Sequence, residues 1–278
     1  MRAVLLLLAL SFPGRAGAAE ATAILSSDSG HYRQALEGFL EVWGGSVAVV
    51  SAGEAAPPGA KAYVVFGSRA AARAWTKDAV VVACLAPSIA AEEGDAVTHV
   101  SLLGDPGVLL ARVRALIPRL KVLRVLWSSD SSRVDAEALR KAGVERGVVV
   151  HLARVSPPSS LPSFLREQAD DADALWLMPD PALINTESFS ILREYAAARK
   201  IPFLAPTEGL AERGAAATIA VSFRDMGRAA AESLRARLDG RAEPEFVRSG
   251  TVRVTVNVAA ARAAGLDSDF RSADKVLP

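Results

Sequence analysis

The sequence predicts an α/β protein of two doubly wound, parallel-sheet lobes with a hinge and a cleft between them. Three observations carry this. Short apolar runs alternate with amphipathic helical segments along most of the chain, which is the pattern of repeated βαβ units. The best-defined unit, residues 172–209, reads strand, polar loop, helix, strand, polar loop, and so sets two strands parallel. The 278 residues are too many for one comfortable core. Two lobes joined by a few crossing segments are built to hinge around a ligand.

The first residues read as an export signal. Arg2 supplies the positive end, residues 4–12 an apolar core, Pro13 and Gly14 a break, and Ala16-Gly17-Ala18 the small-residue cleavage site. Cleavage is expected after Ala18. The apolar core is shorter than the ~20 residues needed to span a bilayer, and no later run is long enough to span, so a mature protein that is soluble and outside the cytoplasm is expected. The divisions expected are a signal peptide at 1–18, an N-terminal α/β lobe at 19–119, a C-terminal α/β lobe at 120–243, and a tail at 244–278 that returns to the N-terminal lobe. The first crossing is placed near residues 118–121.

In the first lobe, residues 21–26 read as a strand and end in the turn Ser26-Ser27-Asp28-Ser29-Gly30. Tyr32, Leu36, Phe39 and Trp43 then mark one helix face. Strands follow at 46–50 and 62–66. The Ala-, Gly- and Pro-rich stretch between them is a poor place for a crossover helix. Gly67-Ser68 opens a helix expected to run through Trp75. Residues 79–85 and 97–102 are further strands, separated by an irregular acidic loop. Asp105 and Pro106 start a helix, Asp as cap and Pro in the first turn.

The second lobe opens with a strand at 122–127 and the loop Ser128-Ser129-Asp130-Ser131, an echo of Ser26-Ser27-Asp28-Ser29. A strand at 147–152 and a helix at 161–169 lead into the central unit. There the strand 174–178 stops at Pro179-Asp180-Pro181, and Asn185 and Thr186 can cap the next helix. The strand 201–205 stops at Pro206-Thr207-Glu208. A strand at 216–221 precedes the loose capping box Ser222-x-x-Asp225 and a helix with Met226, Ala230, Leu234 and Leu238 on one face. Residues 246–258 are β-rich, and a short helix closes at Gly265.

Composition excludes several classes. The formal charge is +1, and −1 once Arg2 and Arg15 leave with the leader, with no basic stripe for nucleic acid. Cys84 is the single cysteine, so no internal disulfide forms, and it reads as a small buried hydrophobe. His31, His99 and His151 lie in different elements and give no metal pattern. No G-x-S-x-G elbow and no phosphate-binding glycine loop occurs. No catalytic residue, metal or cofactor is expected.

What remains is a ring of small polar loops at strand ends: Ser27, Asp28 and Ser29; Gly67 and Ser68; Ser128, Ser129 and Asp130; Asp180; and Glu208. Ligands bind at the carboxyl edge of open α/β sheets. Helix starts there favour a carboxylate, and Asp180 and Glu208 suit an ammonium. A zwitterion such as an amino acid fits both. Capping and turn formation are the alternative roles for each of these residues. Trp127 ends a strand beside a polar loop and is the aromatic best placed to meet a ligand.

Six blocks carry a resemblance: ILSSDSGHYRQALEGF, AYVVFGSRAAARAW, RLKVLRVLWSSDSS, ADALWLMPDPALINTESF, IPFLAPTEGLAERGAAATIAVSFRDMGRAAAE and VTVNVAAARAAGL. In the same order along nearly the whole mature chain, they resemble the substrate-binding protein family of ABC importers that includes the tryptophan- and tyrosine-type periplasmic binding proteins. The resemblance implies a type I periplasmic-binding fold, a solute held between the lobes, delivery to a membrane permease and no catalysis. It also implies that the loops carrying Asp180, Glu208, Ser27 to Ser29 and Ser128 to Asp130 line the cleft. Two segments depart from the family pattern. The crossover at 51–61 is compressed, and the loop after the fourth strand reads Ala86-Pro87-Ser88 in place of a Ser-Asp-Pro turn. The expectation is a monomeric periplasmic receptor for a small solute, working with an ABC permease. The alternative is a binding-protein-like interaction or sensory module that acts with a membrane sensor or uptake receptor.

Overall fold

The computed structural model describes residues 20–87, 97–168, 171–242, 244, 246–266 and 270–278. The expected leader, and most of the expected acidic loop before residue 97, lie outside the described residues. No described helix is long and apolar enough to cross a membrane.

In chain order the elements are β1 (Ala21–Leu25), α1 (Gly30–Trp43), β2 (Val47–Ser51), β3 (Ala62–Phe66), α2 (Ser68–Ala71), β4 (Val80–Cys84), β5 (Val97–Val100), α3 (Pro106–Leu116), β6 (Val122–Trp127), α4 (Arg133–Arg146), β7 (Val149–Arg154) and α5 (Leu161–Arg166). They continue with β8 (Ala174–Leu177), α6 (Thr186–Arg199), β9 (Phe203–Ala205), α7 (Gly209–Glu212), β10 (Ala217–Ala220), α8 (Phe223–Leu238), β11 (Phe246–Val247), β12 (Arg253–Asn257), α9 (Val258–Ala263) and β13 (Lys275–Leu277).

Two sheets result. The first runs β11-β5-β4-β3-β1-β2, with every pairing parallel. The second runs β13-β12-β10-β9-β8-β6-β7 and is parallel except where β12 meets β10. Each sheet centres one lobe. Central strands are buried on both faces, as in β1 and β8, so they read as continuous apolar runs rather than alternating ones.

The helix starts follow the caps anticipated from sequence. Asp105 accepts the Val108 N–H at 2.8 Å, with Pro106 in the first turn of α3. Asn185 accepts the Ser188 N–H at 2.8 Å and opens α6. Ser222 accepts the Asp225 N–H at 3.1 Å and donates its hydroxyl to the Asp225 carboxylate at 2.6 Å. The helix expected through Trp75 is shorter, ending at Ala71, and Trp75 packs instead on Tyr63 with ring centres 5.0 Å apart.

Chain alternation does not say which sheet a helix covers, and three placements differ from expectation. The chain first crosses between lobes after β5, at residues 101–105, not at 118–121. α3 therefore packs on α4 and β10 of the second lobe, through Leu109, Leu110, Val113 and Leu116. α8, expected in the second lobe, returns to the first and packs on α1, β3, β4 and β5. Small residues make that docking close: a Cβ on Gly38 would lie 1.9 Å from the Arg224 carbonyl oxygen, and one on Gly227 1.8 Å from that of Ala35. In the tail, β11 joins the first sheet, but β12 pairs antiparallel with β10 in the second. The expected return of residues 252–256 to the first lobe is thus corrected: β12 needs no crossover helix because an antiparallel strand does not require one.

No helix covers the connection from β2 to β3, at 52–61. Val49, on the free edge strand of the first sheet, is 51% exposed. Cys84 is fully buried in β4, and that burial pushes its thiol pKa up, which leaves it the inert hydrophobe anticipated.

Candidate functional site: the interlobe cleft

Three segments cross between the lobes, at residues 101–105, 221–222 and 248–252. They are tied side by side. The Ser101 N–H donates to the Val247 carbonyl and the Asp105 N–H to the Ser249 carbonyl, both at 2.9 Å. Gly104 sits where they converge, and a Cβ there would lie 2.6 Å from Val252 Cγ2 and 2.9 Å from Val221 Cγ2. Asp135, from the first turn of α4, accepts the Ser101 hydroxyl and is paired with Arg248 at 2.6 Å. Both members of that pair are largely buried, so α4 is joined to the crossing segments by a desolvated charge contact.

The carboxyl ends of both sheets open on the space beside these segments. A small cavity of about 40 Å³ lies between Ala86, Pro87 and Ser101 of the first lobe and Ser132, Asp135 and Pro179 of the second. A larger one of about 260 Å³ is bounded by Gln34, Phe223 and Met226 from α1 and α8, by Leu102 and Val221 from the crossings, and by Pro179, Ile184, Pro206, Thr207 and Glu208 from the second lobe. Its walls are mostly apolar, with a few polar groups, the usual make-up of a small-molecule site.

A sequence model of the family described as ABC transporter substrate binding protein matches residues 77–269, more than half of the chain. The chain belongs to that family. The substrate-binding proteins of ABC transporters are transport components and not enzymes. No curated protein matches the chain in sequence. Among solved structures, an ABC domain from Streptococcus pneumonia in complex with L-Trp is 18% identical, with a TM-score of 0.59 over 92% of this chain and 100% of that one. A ligand-free, open substrate binding protein with adhesive properties from Clostridium difficile is 16% identical, with a TM-score of 0.64 over 94% and 99%. An ABC transporter solute binding protein from Clostridium phytofermentas with bound L-rhamnose is 9% identical, with a TM-score of 0.55 over 89% and 98%. At these identities the likeness is one of fold: two mostly parallel α/β lobes of the type I periplasmic-binding kind.

Within this substrate-binding protein, the residues singled out from sequence divide into three groups. Glu208 is exposed at the start of α7 and lines the larger cavity. Asp180 does not. Its carboxylate is 0% exposed and is used inside the second lobe. One oxygen accepts the Ser128 N–H at 2.9 Å, the Ser129 N–H at 2.8 Å and the Ser129 hydroxyl at 2.6 Å, while the other accepts the Ala182 N–H at 2.9 Å. Burial alone would raise its pKa. The hydrogen bonds from Ser129, Ser128 and Ser132 outweigh that and hold it below the ordinary carboxylate value. In this structure Asp180, expected from sequence to meet a ligand ammonium, braces the loops after β6 and β8 and does not face the cavity. Ser128 belongs to the same brace, its hydroxyl donating to the Val155 carbonyl at 2.6 Å.

The other residues singled out from sequence line neither cavity, although Ser131 and Ser132, beside Asp130, line the smaller one. Asp28 is paired with Arg33, whose guanidinium holds that carboxyl below the usual range, and Ser29 Oγ lies 3.1 Å from His31 Nε2. Ser27 is exposed. Asp130 is paired with Arg154 at 2.6 Å, and Arg154 also lies over the Trp127 ring, 5.0 Å from its centre. Gly67 adopts φ of 96°, and Tyr32 Oη and Ser26 Oγ stand where its Cβ would be. Ser68 begins α2 behind it.

Gln34, Leu102, Ile184, Phe223 and Met226 line the larger cavity and were not singled out from sequence as facing a ligand. One signal for Phe223 and Met226 was present. The Ser222-x-x-Asp225 box follows a strand in the same strand, polar loop, helix order as the other candidate loops, but it reads first as a cap.

Proposed function

We propose that this chain is the extracytoplasmic solute receptor of an ABC importer and binds an amino acid or similarly small zwitterion between its lobes for delivery to a membrane permease. The observation that carries the reading is the cavity of about 260 Å³ walled by both lobes and by two crossing segments, with Glu208 on its surface. A solute there touches both lobes at once, so closing them about it increases contact, and binding shifts the population toward the closed form. The volume is at the small end for ligand pockets and suits a molecule of amino-acid size. Residues 1–18 fit an export leader, which supports a periplasmic setting for the mature chain.

A second reading rests on the first lobe. Its edge strand β2 has no covering helix at 52–61, and Val49 is half exposed. That surface supports the alternative of an interaction module that reports to a membrane sensor or uptake receptor.

A thermal-shift panel of amino acids, amines and sugars on the purified protein separates the two. A solute at about 100 times its dissociation constant stabilises the fold by roughly 2.7 kcal/mol, a shift of several degrees at this size. A selective shift is the expected result. A cooperative melt unmoved by every solute would sink the receptor reading and favour the interaction module.

A further inference from the structure

The carboxylates around the cleft are almost all spoken for. Asp28 is paired with Arg33, Asp130 with Arg154, and Asp135 with Arg248 and Ser101. Asp225 is paired with Arg228 at 3.0 Å and Arg253 at 3.5 Å. Asp180 is held by Ser128, Ser129 and Ala182. Glu208 is different. Among the described residues its carboxylate has no hydrogen-bond or ion-pair partner, and it lies on the wall of the interlobe cavity.

The rest of that wall offers nothing of opposite sign. Leu102, Ile184, Pro206, Phe223 and Met226 are apolar, and among the described residues no Lys, Arg or His lines the space. Arg33, next in the chain to Gln34, is turned to Asp28, and Arg224, next to Phe223, is turned to Glu41. The start of α8 also faces the cavity, but Asp225 is buried in its first turn and places a negative charge against the positive end of the helix. A ligand carboxylate would find only neutral donors such as the Gln34 amide and the Thr207 hydroxyl. A ligand ammonium would find a full, unshared charge.

We infer that the cleft selects its solute by a single positive charge at Glu208: the ligand class is a small amine with an apolar body, and a carboxylate on that body adds little to affinity. This rests on the receptor reading above and narrows it. Glu208 is then the specificity-determining residue, and the apolar wall reads the body.

Matched probes test it. Isothermal titration compares isoamylamine with L-leucine and 4-methylpentanoate, and phenethylamine with L-phenylalanine and 3-phenylpropionate, on the whole protein and on Glu208→Gln. The amines are expected to bind at least as tightly as their parent amino acids, and the acids not to bind. Glu208→Gln should weaken amine binding about tenfold or more, because one charge-assisted bond is lost, with its melting temperature unchanged. Added salt should weaken the wild-type interaction. An amino acid that binds while its matched amine does not, or a Glu208→Gln variant that binds amines as well as wild type, would overturn the charge selection and leave the receptor reading standing. If neither amines, amino acids, acids nor a set of sugars bind, the receptor reading fails as well.

Discussion

The loops after β8 and β9 sit on neighbouring strands and each carries one acid, Asp180 or Glu208, yet the two acids have opposite fates. Asp180 is fully buried, with four donors aimed at its oxygens from the loops after β6 and β8. Glu208 stands one residue before a short helix, exposed, with no partner among the described residues. The cause is the strand order. β8 lies between β6 and β9, so its loop runs beside the loop of β6, whose N–H groups and Ser129 hydroxyl converge on it. β9 has β8 and β10 as neighbours, and the loops there carry Pro179, Ser222 and apolar side chains around an open space. An acid at a strand end becomes a brace where neighbouring donors reach it and stays free to meet a ligand where they do not.

Removing the brace should have the largest effect. Asp180→Ala takes the shared acceptor from four donors, one buried and three partly buried, and leaving them unpaired costs about 3–5 kcal/mol together. Urea denaturation should show the loss directly. A change under about 1 kcal/mol would mean that the loops after β6 and β8 find other partners, and the contrast with Glu208 would lose its basis.

The next effect is in acid. The folded Asp180 pKa is depressed, so its ionised form contributes stability above the ordinary carboxylate pKa of about 3.9, and that contribution is lost as the pH falls through the lower folded value. Asp180→Asn has no such charge to lose. The stability gap between wild type and Asp180→Asn should therefore be widest near neutrality and narrow below about pH 4. A gap that stays constant into acid would assign the brace to shape rather than charge. A smaller version of the same test is Ser129→Ala, which removes one hydroxyl bond to the carboxylate but keeps both N–H donors. About 1.5–3 kcal/mol is expected, the size of one hydrogen bond to a charged group.

The sequence made the two-lobe α/β architecture legible because periodicity and caps are local. Asp105, Asn185 and Ser222 accept the N–H groups their spacing assigns to them. Assignment of helices to lobes was not legible. α3 and α8 are each an apolar face beside a strand, and only the docking of Gly227 against Ala35, or of Leu109 and Val113 against the second lobe, says which sheet they cover. The site was half legible for the same reason. Strand-end loops could be found from Pro, Ser and Asp, but whether an acid there is occupied depends on a loop some fifty residues away, such as Ser128 and Ser129 for Asp180. The apolar wall from Leu102, Phe223 and Met226 has no residue pattern of its own, since such side chains read as core wherever they stand.

The smallest expected effect on stability is also the sharpest test of the comparison. Glu208→Gln removes an exposed charge that has no partner among the described residues, so the unfolding free energy should stay within about 0.5 kcal/mol of wild type. The same variant should lose solute affinity, whereas the Asp180 variants should lose stability first and affinity only through it. The two behaviours separate when binding is measured on Asp180→Asn under conditions where it is fully folded. There the brace variant should retain most of its affinity, because no Asp180 atom is exposed to the cavity, while Glu208→Gln should not. If folded Asp180→Asn binds as poorly as Glu208→Gln, then closure around the solute turns Asp180 toward the cleft, and both strand-end acids belong to the site.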